Sequence, residues 1–152
     1  MAPYYLRASA GRSYLLGSQS STPLATLAET GGIFTISLIA GIGSSFPENN
    51  SLASPSRLAL KFASPFLARC VEGTITFSLN GGAPETLTAK ESIFVTAETS
   101  FAYEIKSAYA RMYVFAGKGD GLAELFAKKG RLVAAGGKHE VLGETDEWKT
   151  AL

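Results

Sequence analysis

Among the side chains that could do chemistry, one lysine stands out because of its surroundings. Lys61 lies in residues 57–63, an otherwise apolar run with the composition of a short strand. Burying a lysine in an apolar cavity is costly unless it is paired, and such lysines serve as bases, Schiff-base nucleophiles or fixed cations beside an anionic intermediate. The alternative is a strand shifted by one residue, which would turn Lys61 to solvent and leave it without a chemical role.

The other reactive side chains are few, and they disfavour several kinds of site. The one histidine, His139, lies in a Gly- and Lys-rich segment, and one histidine cannot build a multi-histidine metal centre. The one cysteine, Cys70, excludes an internal disulfide framework, and as a nucleophile it would need a nearby base. A Ser-His-Asp triad is disfavoured because it would depend on His139.

Length and composition predict one soluble globular domain. The chain has 152 residues, enough to bury a sizeable core, and 46% of them are hydrophobic while 18% are charged. The formal net charge of +1 gives no reason to expect nucleic acid or an anionic membrane as a partner. No signal peptide is visible and no apolar run has membrane-spanning length, so we expect a cytoplasmic location.

Short alternating segments separated by turn signals indicate a β protein. The segment after Gly32 alternates apolar and hydroxyl side chains, with Thr35 and Ser37 together on one face. Residues 74–79 alternate likewise and lead into a hairpin turn at Asn80-Gly81-Gly82. The pattern continues to residue 116, which is typical of a sandwich or barrel.

The sequence pattern also predicts two helices, a further strand and a long loop. Helical spacing begins at Leu122 and ends at Lys128, and a second short helix is expected at Glu144–Leu152. We expect a strand at Leu24–Glu29 and a long loop over residues 41–56, which are rich in Gly, Ser, Pro and Asn.

The order of these elements resembles that of a single cupin domain. A strand, a Gly-rich loop, residues 57–73, the hairpin, two further strands and a helix follow one another, and the pattern is most similar to the fungal quercetin-dioxygenase-like branch of that family. The resemblance implies an all-β, cupin-type barrel (double-stranded β-helix or jelly roll) over residues 1–130. A C-terminal extension over residues 131–152 would pack on the barrel. It also implies a homodimer.

The metal motif of that family is present in outline but without its ligands. The first motif runs Gly, five residues, His-x-His, three or four residues, Glu, six residues, Gly. With Gly73 as its last glycine and the four-residue spacing, the His positions fall on Ala59 and Lys61 and the Glu position on Phe66. The third histidine of the family would lie at Phe101. Since these residues, in that place, do not offer the imidazole and carboxylate donors that hold a divalent ion, we predict no metal and no other cofactor.

The register carried over from the resemblance assigns the candidate site residues. It points Lys61 into the barrel and places Tyr103 on an inward face with Phe101. For residues 110–116, Arg111 and Tyr113 share one phase of the strand, and the sequence leaves open whether that phase or the opposite one lines the cavity. Cys70 would face inward as a small hydrophobic residue.

The functional prediction is a metal-independent enzyme that acts on a small, largely apolar organic molecule held in the barrel. The expected reaction is a non-redox step, namely isomerisation, cyclisation, dehydration or another lyase step, and the fungal resemblance implies secondary-metabolite biosynthesis. The candidate catalytic residues are Lys61, Tyr103 and Tyr113. The candidate substrate-binding residues are Thr35, Ser37, Phe62, Phe66, Phe77, Phe101 and Arg111. The alternatives are a small-molecule-binding cupin without catalysis and a cupin dioxygenase with a rearranged metal site.

Overall fold

The computed structural model describes residues 12–46, 59–118 and 121–134. Within these residues, ten strands form one antiparallel sheet, and one helix, α1 (Leu122–Lys129), packs against it. The strands are β1 (Arg12–Leu16), β2 (Gln19–Ala25), β3 (Phe34–Phe46), β4 (Leu60–Lys61), β5 (Phe66–Glu72), β6 (Ile75–Leu79), β7 (Glu85–Leu87), β8 (Ser92–Val95), β9 (Ser100–Gly117) and β10 (Arg131–Ala134).

Strand β9, with 18 residues, connects the two halves of the sheet. It pairs with β3 along most of its length, and its C-terminal half also pairs with β5, within the order β10-β1-β2-β3-β9-β5-β8. Its N-terminal half pairs with β4 and β6, and β6 in turn pairs with β7. A buried hydrogen bond from Tyr103 on β9 to Gln19 on β2 joins the halves, so the sheet closes around a common core.

The core is built from the inward-facing side chains of both halves. The core residues of β5, β6 and β9 occupy mainly every second position of these strands, as side chains on one face of a strand do. Helix α1 adds its buried face, Leu122 and Phe126. The largest fully buried side chains are Tyr103, Phe77, Phe101, Phe126, Ile39, Ile75, Met112, Leu122, Gln19, Val95 and Val114.

The predicted all-β class is confirmed, and so is the helix predicted from Leu122 to Lys128. No helix in the described ranges is long and apolar enough to cross a membrane. Strand β10 adds residues 131–134 to the sheet beside β1. The helix predicted at Glu144–Leu152 lies outside the described residues.

Two predicted segment boundaries are wrong. The strand predicted at Leu24–Glu29 ends at Ala25, because a turn follows in which the Thr26 N–H and hydroxyl donate to Glu29 Oε2 at 2.8 and 3.0 Å. The loop predicted from residue 41 does not begin there, since β3 runs on to Phe46 through its pairing with the N-terminal half of β9; the rest of the predicted loop, up to residue 56, lies outside the described residues.

The turn from β5 to β6 depends on Gly73. Its φ of +79° lies in the left-handed region. The backbone of β9 also leaves no room for a side chain, since a Cβ on Gly73 would lie 2.9 Å from Ala110 Cα and would overlap the carbonyl oxygen of Tyr109. The turn is held against β9 by the Thr74 N–H, which donates to Ser107 Oγ at 3.0 Å.

Gly73→Ala is therefore expected to lower the free energy of unfolding by more than about 2 kcal/mol, because backbone strain and overlap add. Two glycines provide controls: Gly31 also has a positive φ (+69°) but open space around it, and Gly117 has open space without a positive φ. Urea unfolding should rank the losses as Gly73→Ala, then Gly31→Ala, then Gly117→Ala. Equal losses at Gly73 and Gly31 would show that contact with β9 does not matter.

Candidate functional site

An aromatic cluster occupies the place where the resemblance puts metal ligands. Phe66 and Phe101 are both buried, with ring centroids 4.9 Å apart. Phe62 lies against both, at 6.5 Å from Phe66 and 5.5 Å from Phe101. Leu60 pairs with Phe101 and is buried as well. Hydrocarbon thus fills this part of the interior.

The predicted inward orientation of Lys61 is wrong. Lys61 pairs with Ser100 and is exposed, whereas its neighbour Leu60 points into the core. The physical reason is the alternation of strand side chains, for which a shift of one residue exchanges the two faces. The three-residue spacing of the family motif, which assigns Leu60 and Phe62, agrees with the observed faces better than the four-residue spacing.

A strip of polar side chains lines the inner face of β2 and β3. Gln19, Ser21, Thr35 and Ser37 are at most 5% exposed. The predicted inward orientation of Thr35 and Ser37 is therefore confirmed. The usual assignment of faces is inverted here, because the apolar phase of β3 points outward and leaves Phe34 41% exposed.

Two hydroxyls of this strip are buried without a hydrogen-bond partner in the described structure. They are Ser21 Oγ and Ser37 Oγ. Ser37 pairs across the sheet with Pro23 and Ser21 pairs with Ile39, so the two serines are diagonal neighbours on the same face. A buried hydroxyl that finds no partner costs about 1–3 kcal/mol. Such groups are the ones that a ligand or an ordered water would satisfy.

Tyr103 faces inward, as predicted, and is fully buried. Its hydroxyl donates to Gln19 Oε1 at 2.6 Å, and its ring lies 5.4 Å from that of Phe77, which is also buried as predicted. Burial raises the pKa of the Tyr103 phenol well above its ordinary value of 10.0. The phenol therefore stays protonated and serves as a hydrogen-bond donor between the two halves of the barrel.

A pocket of about 280 Å³ lies between α1 and strands β1–β3. Thr35 belongs both to this pocket and to the polar strip, and Ser37 is the next inward-facing residue along β3. Glu124 is the one charged residue in the described lining, and its Oε2 is buried without a hydrogen-bond partner. The described lining comprises Tyr14, Pro23, Ala25, Thr26, Leu27, Ala28, Thr35, Ile36, Ala123, Glu124 and Ala127.

The sequence pattern does not predict this pocket, because the pocket forms where α1 packs on strands that lie far from it along the chain. A signal was nevertheless present. Ala123 and Ala127 are small and one turn apart, with Glu124 beside them, and small residues on a helix leave space where a larger side chain would fill the contact.

No family model and no curated protein matches the sequence. Solved structures match the fold. An RmlC-like cupin from Shewanella frigidimarina NCIMB 400 superposes with a TM-score of 0.61 at 12% identity, over 78% of this chain and 93% of that one. KdgF from a Halomonas species gives 0.61 at 6% identity, over 79% and 96%. The EutQ protein of Clostridium difficile gives 0.51 at 14% identity, over 67% of this chain but only 64% of that one, which is less than two thirds of its length.

The chain has a cupin fold. The identities are low, so the likeness establishes the architecture and leaves the chemistry to the residues of this chain. The finer resemblance to the fungal quercetin-dioxygenase-like branch stays a prediction.

The residues where the resemblance puts metal ligands do not fit a metal ion in this chain. Phe66, Phe101 and either Leu60 or Phe62 offer no nitrogen, oxygen or thiolate donor, and these rings pack against one another. Within the described residues, His, Cys, Asp and Glu form no group of three that could hold an ion. No chemical step is therefore assigned to a metal at this place.

Arg111 and Tyr113 lie on the outer face of the cupin barrel, so their assignment to the interior is wrong. Met112 and Val114 take the inward phase of β9 and are buried. Arg111 instead donates from Nε to Glu72 Oε2 at 2.8 Å, in an ion pair whose side chains are 40% and 51% exposed. Such an exposed pair contributes about 0–1 kcal/mol to stability.

Cys70 faces inward, as predicted, and is 1% exposed. Its Sγ lies 3.4 Å from the carbonyl oxygen of Gly73, and burial raises the pKa of its thiol above 9.0. A protonated, buried thiol packs as a small apolar group and is a poor nucleophile.

Removing the Tyr103 hydroxyl should destabilise the protein without changing its shape. We expect Tyr103→Phe to lower the free energy of unfolding by about 1–3 kcal/mol, because a buried hydrogen bond is lost. The matched control is Tyr113→Phe, on the half-buried outer face, with an expected change below about 0.5 kcal/mol. Equal effects of the two substitutions in urea unfolding would show that the hydrogen bond to Gln19 adds no measurable stability.

A comparison of the wild-type protein with Tyr103→Phe also tests the pKa of the Tyr103 phenol. Because the folded-state pKa is raised, the contribution is fully present below the unfolded pKa of about 10 and falls by about 1.4 kcal/mol per pH unit above it, until the folded phenol ionises. The wild-type protein should therefore lose more stability than Tyr103→Phe between pH 8 and pH 11. Parallel losses would mean that Tyr103 titrates normally.

Proposed function

We propose that this chain is a metal-independent cupin that binds a small, largely apolar organic molecule between α1 and strands β1–β3. The observation that carries the proposal is the buried Ser37 hydroxyl without a partner, on the next inward-facing residue of β3 after Thr35, which lines the pocket. A ligand with an apolar body and one polar group that reached inward past Thr35 would supply the missing hydrogen bond.

The composition of the pocket supports an apolar ligand. Most of the described lining residues are aliphatic, alanine included. The pocket volume of about 280 Å³ lies just below the volume of about 300 Å³ at which typical ligand pockets begin, so the ligand must be small. A few polar groups on an apolar wall fix the orientation of a ligand, and Thr35 and Glu124 are placed to do so.

A second candidate function is a non-redox enzyme, and Glu124 favours it. A carboxylate in a largely apolar pocket is a suitable general base for isomerisation, cyclisation or dehydration. It would take the role that the exposed Lys61 cannot fill from outside the barrel. Secondary-metabolite biosynthesis, a cytoplasmic location, the homodimer and the absence of a cofactor stay predictions.

Ser37→Ala should weaken ligand binding without lowering the stability of the ligand-free protein. Since Ser37 Oγ has no partner, we expect its removal to leave the unfolding temperature of the ligand-free protein unchanged or to raise it. The matched control is Ser78→Ala, because the buried Ser78 hydroxyl donates to the Gly82 carbonyl at 2.9 Å and its loss should lower that temperature.

The binding arm uses a library of small apolar molecules that each carry one hydroxyl or amino group. Hydroxyl-bearing molecules that raise the unfolding temperature of the wild-type protein should bind Ser37→Ala about tenfold more weakly, the equivalent of about 1.4 kcal/mol. Ala127→Phe, which fills the pocket, should abolish binding, whereas the exposed Ala97→Phe should not. Full binding to Ala127→Phe would place the ligand elsewhere and contradict the proposal.

Turnover distinguishes the enzyme from the binding protein. Ligands found in the screen should be incubated without oxygen and without added metal, and the masses of products and substrates compared. A product that is an isomer of the substrate, or that differs by water, supports the non-redox enzyme. A requirement for oxygen together with oxygen atoms in the product would favour a dioxygenase instead, and tight binding without turnover would leave the binding protein.

A further inference from the structure

The charge inside the pocket narrows the class of ligand. Glu124 is the third residue of α1, and its Oε2 has no hydrogen-bond partner although it is shielded from solvent. A carboxylate oxygen taken out of water costs several kcal/mol unless hydrogen bonds or a cation replace its hydration.

None of the described residues supplies a hydrogen bond or a cation to Glu124 Oε2. A glutamate at the third helical position often accepts a hydrogen bond from the N-cap N–H, and here Oε2 lies close to the N-cap, Gly121, since a Cβ built there would be 3.2 Å away. Even so, Oε2 accepts no hydrogen bond. The ion pairs found among the described residues, Lys106 with Glu104 and Arg111 with Glu72, do not involve Glu124.

The surroundings of Glu124 suit a cation with an apolar body. Tyr14 and Thr35 line the same pocket as Glu124, so the lining combines a carboxylate with an aromatic residue and a hydroxyl-bearing residue, all of which can attract a cation. A second carboxylate, Glu29, accepts hydrogen bonds from the backbone N–H and the hydroxyl of the lining residue Thr26. An anionic ligand would be repelled, and a neutral alcohol would leave the charge of Glu124 unbalanced.

We infer that the pocket selects a small apolar molecule bearing a protonated primary amine, with the ammonium group paired to Glu124. This inference rests on the proposed function, because it concerns the same pocket. The ammonium group donates to the orphaned Glu124 Oε2, and the apolar body lies along Pro23, Ala25 and Ile36.

The test compares three probes of nearly equal shape by isothermal titration: 2-phenylethylamine, 2-phenylethanol and 3-phenylpropionate. We expect the amine to bind at least about tenfold more tightly than the alcohol, and the acid not to bind, since charge-assisted hydrogen bonds are the stronger ones. Raising the salt concentration should reduce this preference. Equal affinities of the amine and the alcohol for the wild-type protein would overturn the inference, and this comparison needs no variant.

Glu124→Gln then identifies the group responsible. Glutamine keeps the shape of the side chain and is compatible with the third helical position, so the fold should be retained. An unfolding temperature equal to or above that of the wild-type protein would show this, because the substitution removes a buried charge. We expect Glu124→Gln to bind the amine and the alcohol with affinities within about threefold of each other, the alcohol being little affected. A preference for the amine that survives the substitution would overturn the assignment to Glu124.

The outcomes also separate the two proposals. If the alcohol binds and the amine binds no more tightly, the inferred ammonium site is wrong, but the proposed function is not contradicted. If no probe and no molecule of the wider library binds, or if Ala127→Phe binds as the wild-type protein does, the proposed function itself is wrong.

Discussion

The structure depends on one constraint, the simultaneous pairing of β9 with strands from both halves of the barrel. Strand β9 pairs with β3 along most of its 18 residues, with β5 near one end, and with β4 and β6 near the other. The β5–β6 turn must therefore pass close to the middle of β9, where only a glycine fits at position 73. Because every inward-facing side chain takes its direction from this register, the composition of the interior follows from it as well.

The interior that results has two chemically different parts. Rings of Phe62, Phe66 and Phe101 fill the place where the resemblance puts metal ligands, and they leave it without donors. The polar strip on β2 and β3 instead retains hydroxyls, two of them without partners. Function in this chain is therefore better sought beside the polar strip, under α1, than at that place.

Placing hydroxyls inside has a consequence for the outside of the barrel. On β3 the apolar phase faces outward, and neighbouring strands add exposed aromatic rings, so that Phe34, Phe94 and Phe115 are 41%, 59% and 40% exposed. The hydrophobic effect alone would favour the opposite arrangement. An arrangement that keeps unpartnered hydroxyls in the core at a cost in stability is typical of a site retained for binding.

The register carried over from the cupin resemblance predicted the inward positions of Tyr103 and Cys70. The sequence by itself determined the all-β class, the helix that begins at Leu122, and the placement of Thr35 and Ser37 on one shared face. Alternation over several residues and a glycine-marked turn are local signals, and they need no knowledge of the partner strand. Only the tertiary structure decided the direction of Lys61, the face of Arg111 and Tyr113, and the pocket around Glu124. The first two depend on a register that a one-residue shift reverses, and the pocket depends on where a helix packs on strands about a hundred residues away along the chain.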